Sequence, residues 1–268
     1  MRLRAVVGGL AAALTFSSCV VSCGVAAPSA APTAWAPPGS TPLGDRQAAA
    51  LVAHRPEIRP ENAAANDYVP TDAELLAFQT SRDSYGRTPT QFNPLARYVT
   101  GRPGLVDPST DDLIQWAARK WGIPDDVIRA QMATESWWRQ SQLGDRTTEP
   151  AGWYGLYPAQ ARVPNTTDAY ESMGVMQVRW RPDGWVGNGT EPLRWKSTAF
   201  NLDFYGSIIR FYYDGLCSWC GSGYGAGQAW ASVGAWFNPV PWNNANAQSY
   251  EGRVLTNLSR RPWEQRGF

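Results

Sequence analysis

Histidine is almost missing. His54 is the only one in 268 residues. A Ser-His-Asp or Cys-His hydrolase, or a multi-histidine zinc site, would have to be assembled around that single side chain. Charge is scarce as well. Lys, Arg, Asp and Glu make up 18% of the chain and nearly cancel, leaving +1. With no basic field, nothing in the composition points to nucleic acid. The apolar stretch Ala5 to Phe16 is too short to span a bilayer as a helix. Cysteine is limited to Cys19 and Cys23 near the start and to Cys217 and Cys220. Chemistry therefore falls to carboxylates, hydroxyls and amides, with no metal or organic cofactor implied. The residue in excess is tryptophan, with 14 copies.

Residues 1–27 read as an export signal: Arg2 and Arg4 form a basic start ahead of the uncharged Ala5 to Phe16 core. Val20-Val21-Ser22-Cys23 resembles the lipobox of bacterial lipoproteins, in which the peptide is cut before the cysteine and the cysteine is lipidated. The alternative is ordinary cleavage, for instance after Ala30 or Ala36. Either outcome places the protein in the cell envelope or outside the cell, with membrane contact limited to a lipid anchor at Cys23. In such an oxidising compartment Cys217-Ser218-Trp219-Cys220 reads as a disulfide that staples a loop. A redox motif of that spacing usually opens a helix in a βαβ unit, and no such pattern surrounds it.

Residues 28–66 are rich in Ala and Pro and lack apolar periodicity, which predicts a flexible tether with His54 as a solvated linker residue. Residues 67–106 form a lead-in that is irregular apart from a helix over 71–82, where Thr71 and Glu74 make a capping box. Residues 107–268 read as one mainly α domain. Ser109 or Thr110 caps a helix ending at Trp121, Gly122 stops it, and Pro124 opens the next, which runs to about Trp138. Further helices are expected over 198–214, 227–237 and 245–259. Residues 139–170 read as loop, and no run of alternating strand residues is evident.

In the second helix Ile128, Met132 and Glu135 fall on one stripe. Glu135 therefore projects from the face that should be buried. Desolvation there would raise its pKa and keep it protonated near neutrality, as a general acid requires. The competing reading is a surface Glu paired with Arg139, four residues on.

Four segments follow in order: Ala133-Thr134-Glu135-Ser136-Trp137-Trp138, Ser172-Met173-Gly174-Val175-Met176-Gln177-Val178, Asn201-Leu202-Asp203 with Tyr205-Gly206, and Ala235-Trp236-Phe237-Asn238. This set resembles the lytic transglycosylases and goose-type lysozymes, whose pattern is Glu-Ser on a helix, a Gly-Leu-Met-Gln segment, an Asn-Ile-x-x-Gly helix and an Ala-Tyr-Asn segment. It covers about residues 110–240. The resemblance implies a lysozyme-like domain with a substrate cleft that takes peptidoglycan glycan strands. Glu135 would be the catalytic acid, and Met176, Gln177, Phe237 and Asn238 would line the cleft. Met176 equally suits a core position, and Asn238 before Pro239 equally suits a helix end.

Phe237 stands where the family has Tyr, so a phenol hydroxyl is missing; if that hydroxyl assists catalysis, activity would be lowered, or supported by another residue such as Tyr212 or Tyr170. Trp153, Tyr154 and Tyr157, in the long gap before Gln177, would add a wall. In the transglycosylases one Glu protonates the bridging oxygen between MurNAc and GlcNAc, then takes the proton from the MurNAc 6-hydroxyl as it attacks C1, giving a 1,6-anhydro end. A hydrolytic muramidase would also need a carboxylate to hold water, with Asp145, Glu149, Asp168 and Glu171 available. A non-catalytic peptidoglycan-binding envelope protein is the third reading.

Overall fold

The computed structural model describes residues 34–268. The export signal, Cys23 with its lipobox, and positions 28–33 lie outside the described residues. Four short helices come first: α1 (Asp45–Ala49), α2 (Ala63–Asn66), α3 (Asp72–Thr80) and α4 (Pro89–Phe92). Helices α5 (Thr110–Trp121) and α6 (Asp125–Ser136) follow, then strands β1 (Leu143–Thr148), β2 (Asp168–Met173) and β3 (Val178–Arg179). The chain closes with the single turn α7 (Leu193–Lys196) and helices α8 (Thr198–Tyr213), α9 (Ala229–Phe237) and α10 (Ala245–Arg260). The architecture is mainly α.

Local sequence sets the helix ends. Thr71 and Glu74 cap each other's backbone at the start of α3. Ser109 and Asp112 do the same for α5, with the Asp112 N–H donating to Ser109 Oγ at 3.1 Å. Gly122, at φ +61°, ends α5 in the left-handed region that glycine enters freely. Helix α6 ends on two left-handed non-glycine residues, Trp137 and Trp138. Each such conformation costs on the order of 1 kcal/mol. It is offset by burial of the Trp138 ring, whose Nε1 donates to Arg129 O at 3.0 Å.

Helix α8 packs against α5 and α9, and α10 packs against α6 and α9. The apolar core between them is tied by buried ions. Asp203 on α8 accepts from Lys120 Nζ at 2.7 Å, Trp121 Nε1 at 2.8 Å and the backbone N–H groups of Thr100 and Gly101. Close approach of α5 and α8 requires Gly206, since a Cβ there would lie 2.2 Å from Trp121 Cδ1. Between α5 and α6, Arg129 grips Asp111 and Asp125. Burial works against its charge, but these carboxylates win and hold its pKa above the ordinary value.

Three expectations are corrected here. The stretch 34–66 is not a loose tether. Its backbone bonds to α5 at Ala36 and Leu43, and Ala48 is fully buried in the main core. Polar groups on α5 do the anchoring. Gln115 exchanges two hydrogen bonds with Ala53, Asp112 accepts from His54 Nδ1 at 2.7 Å, and Glu57 accepts from the Thr110 N–H. A hydropathy pattern carries no trace of such bonds. His54 stays mostly exposed, but it is partnered. The lead-in also joins the main core through Leu75, Phe78, Leu95 and Val99, so the core is continuous across position 107.

The third correction concerns 139–170, which carries β-structure. Strand β1 pairs antiparallel with β2, and β2 with β3, in the order β1-β2-β3. The residues of β1 read Leu-Gly-Asp-Arg-Thr-Thr and stay largely exposed. With one face against little but water, no alternation was needed. Tyr157 is buried against Trp180, Ala169 and Met173 beneath this sheet, rather than walling the cleft as expected with Trp153 and Tyr154.

Candidate active site

Helix α6 delivers Glu135 into a cleft of about 510 Å³. The side chain is half-buried. Tyr250 on α10 donates its hydroxyl to Glu135 Oε1, and the Trp236 indole on α9 lies near the same carboxylate and favours its charged form. Three helices thus meet at one carboxyl group. Burial is the largest influence and raises its pKa to about 7, with the Asp145 charge pushing the same way. The Tyr250 hydrogen bond, the nearby Trp236 indole and the Arg253 guanidinium hold it back from going higher. Arg139, the alternative partner, faces Glu61 instead.

The phenol that Phe237 lacks is present on another helix. Phe237 lines the cleft with its ring stacked on Tyr250 at 5.2 Å and an interplanar angle of 2°. Burial and the neighbouring Glu135 charge keep the Tyr250 pKa well above 10, so the hydroxyl stays a donor. Tyr212 sits in a separate cluster with Trp242 and the disulfide, and Tyr170 packs with the sheet. Neither reaches Glu135. Sequence reasoning missed Tyr250 because only its helical phase was visible, 115 residues from its partner.

The turn after β2 positions Gln177. Gly174 adopts φ +87°, and a Cβ there would lie 2.2 Å from Asn201 Nδ2. Two buried amides clamp the turn. Asn201 Oδ1 accepts from the Met176 N–H at 2.9 Å, and Gln140 Oε1 accepts from the Val175 N–H at 3.0 Å. Ser136 Oγ donates to Val175 O at 2.7 Å, which ties the turn to α6 one residue after Glu135. Gln177 reaches the cleft wall, and its Nε2 donates to Gln142 O and Gly174 O. A Cβ on Gly144 would come within 2.3 Å of Gln177 Oε1, so a side chain there would displace the Gln177 amide.

Two of the expected cleft residues lie elsewhere. Met176 is fully buried in the main core and does not line the cleft. The clamp on its N–H turns its side chain inward. Asn238 caps the end of α9, where its Oδ1 accepts from the Val240 N–H and its carbonyl accepts from Asn244. It is absent from the cleft lining.

Of the four loop carboxylates, only Asp145 lines the cleft with Glu135. It sits on β1 at φ +52° and accepts from Ser172 Oγ on β2. Glu149 accepts from Tyr157, Asp168 pairs with Arg146, and Glu171 pairs with Arg179 and Arg181. The site therefore holds one carboxyl group protonated near neutrality beside a second, hydrogen-bonded carboxylate. Such a pair can donate a proton to a leaving oxygen and attract a cationic centre or a water.

Among the described residues, no cluster of three or more His, Cys, Asp and Glu is arranged to hold a metal ion. Cys217 and Cys220 form a disulfide in the loop after α8. Among the described residues, no helix is long and apolar enough to cross a membrane. No family model, curated protein or solved structure matches the chain.

Proposed function

We propose that this protein is an exported, lysozyme-like lytic transglycosylase that cuts peptidoglycan glycan strands between MurNAc and GlcNAc. The observation that carries the reading is Glu135. It is a carboxyl group raised to about 7 by burial, open to a cleft and held by the Tyr250 hydroxyl. In the first step Glu135 gives its proton to the bridging oxygen. Its carboxylate, stabilised by Tyr250 and Trp236, then takes the proton of the MurNAc 6-hydroxyl as that oxygen closes on C1. The product carries a 1,6-anhydro end and no water is consumed. Gln177 and Phe237, which line the same cleft, contact the glycan. Tyr250 answers the doubt about turnover that Phe237 raises, which weakens the non-catalytic reading.

Asp145 favours a second reading, hydrolysis. A second carboxylate lining the same cleft as a protonated Glu suits chemistry in which one group protonates the leaving oxygen and the other activates water or meets C1. Mass spectrometry of soluble products from purified peptidoglycan tests both readings. Muropeptides one water lighter, absent with Glu135→Gln, support the transglycosylase. Reducing ends that disappear in Asp145→Asn mean hydrolysis. Strands that are bound but never cut mean a glycan-binding protein.

A further inference from the structure

Two of the most exposed aromatic rings in the fold stand together at the cleft rim. Tyr85 is 69% exposed and Trp185 61%, with ring centroids 6.3 Å apart. Burying neither ring, the fold gains little from them as core. Both are nevertheless held on tightly determined backbone. Tyr85 lies in the turn 83–87, where Asp83 Oδ1 accepts from the N–H groups of both Tyr85 and Arg87. The Arg87 guanidinium packs over the Tyr85 ring at 4.9 Å and pairs with Asp83 at 2.8 Å. Trp185 lies in the turn 181–186, where its own N–H donates to Asp183 Oδ1 at 2.9 Å.

The two turns are fastened to each other. Ser84 N–H donates to Gly184 O, and a Cβ on Gly184 would press the Arg82–Asp83 backbone at 3.2 Å. Gly187 and Gly189 adopt positive φ. A Cβ on the first would overlap Arg179 O at 1.9 Å, and one on the second would meet Ser81 Oγ at 2.2 Å. Glycine is thus required where the 181–190 loop lies flat against β3 and the end of α3. The outcome is a solvent-facing pair of rings carried on fixed backbone turns. Trp185, Asp83 and Arg87 line the same cleft as Glu135 and Gln177, so the shelf is continuous with the proposed active site.

We propose that Tyr85 and Trp185 form a carbohydrate subsite, stacking on the apolar face of a sugar of the glycan strand next to the cleaved bond. This rests on the glycan-cleaving reading above. The apolar C–H face of a pyranose matches an aromatic ring, and a ring fixed before binding loses little entropy on contact. Asp83 and Arg87 beside the rings offer an acceptor and donors to equatorial hydroxyl or acetamido groups. Neither ring touches Glu135, so the subsite acts through binding. Its first half comes from residues 83–87, ahead of the segments that carry the family resemblance.

The test measures binding of soluble, uncrosslinked peptidoglycan strands to Glu135→Gln, with and without Trp185→Ala, and steady-state kinetics of Trp185→Ala in the active protein. We expect Kd and KM to rise about tenfold with kcat changed less than twofold, the melting temperature unchanged, and most of the affinity recovered by Trp185→Phe. Tyr85→Leu, on the other turn, should weaken binding severalfold without touching the 181–190 loop. Equal Kd for all four proteins overturns the subsite while leaving the cleavage reading standing. A parent that neither binds nor cleaves the strands overturns both.

Discussion

Tyr250→Phe removes one hydroxyl from the neighbourhood of Glu135 and little else. The Phe ring keeps its stacking on Phe237, and the Trp236 indole stays beside the carboxyl group. What disappears is the hydrogen bond from Tyr250 to the carboxylate. A hydrogen bond to a charged group is worth about 1.5–3 kcal/mol, and 1.36 kcal/mol corresponds to one pKa unit. Burial, the largest influence, is untouched, so the Glu135 pKa should climb from about 7 by about 1–2. As the proposed general acid, Glu135 would work protonated, and the rate would fall as pH rises through its pKa. Raising that pKa therefore moves the alkaline limb of kcat/KM to higher pH, from near 7 to about 8–9. The assay is release of soluble fragments from peptidoglycan between pH 4 and 10. A limb that stays in place or moves to lower pH would refute the assignment of Tyr250 as the donor that holds the acid down.

Other perturbations follow from the same geometry. Gly174→Ala places a Cβ against Asn201 and Arg194 O in a left-handed conformation. It should cost about 2–5 kcal/mol in urea unfolding and lower activity by displacing Gln177. Reducing Cys217–Cys220, which closes a loop of sequence separation 3, should remove about 2 kcal/mol and lower the melting temperature by about 4–8 °C while activity at 25 °C persists. An unchanged melting curve would contradict this. Glu135→Gln should be stabilising in alkaline solution. The folded-state pKa lies above the unfolded value of about 4.3, so the contribution to stability is fully present below that pH and is lost as pH rises to about 7. At pH 8 the ionised side chain costs up to about 3.7 kcal/mol, less wherever the cleft lets water in, and the neutral amide does not. Denaturant midpoints should therefore differ at pH 8 and converge at pH 4.5.

Apolar periodicity and caps made the long helices legible. Thr71 with Glu74, Ser109, Gly122 and the break before Pro262 mark ends that the backbone adopts. The sheet was not legible, because β1 is polar on both faces and takes its order from β2 rather than from burial. The N-terminal segment was illegible for a related reason. Counting apolar residues asks whether a segment can repay its ordering entropy by burying surface. Residues 34–66 repay it largely through hydrogen bonds to side chains of α5, including Asp112 and Gln115, whose own positions fix where those bonds can form.

The candidate site divides along the same line. Glu135 could be read from phase, since a carboxylate on an apolar stripe must be tuned or paired. Its tuning could not be read, because every group that sets it comes from elsewhere in the chain: Tyr250 and Arg253 from α10, Trp236 from α9, Asp145 from β1. A motif places side chains relative to their own backbone, so Met176 and Gln177 look equivalent within Gly-x-Met-Gln. The clamps from Asn201 and Gln140 decide between them, turning Met176 into the core and Gln177 to the cleft. The same logic applies to Phe237. A hydroxyl donor to Glu135 needs one point in space, not one position in sequence. Helix α10, packed against both α6 and α9, brings Tyr250 to that point while Phe237 becomes the surface it stacks on.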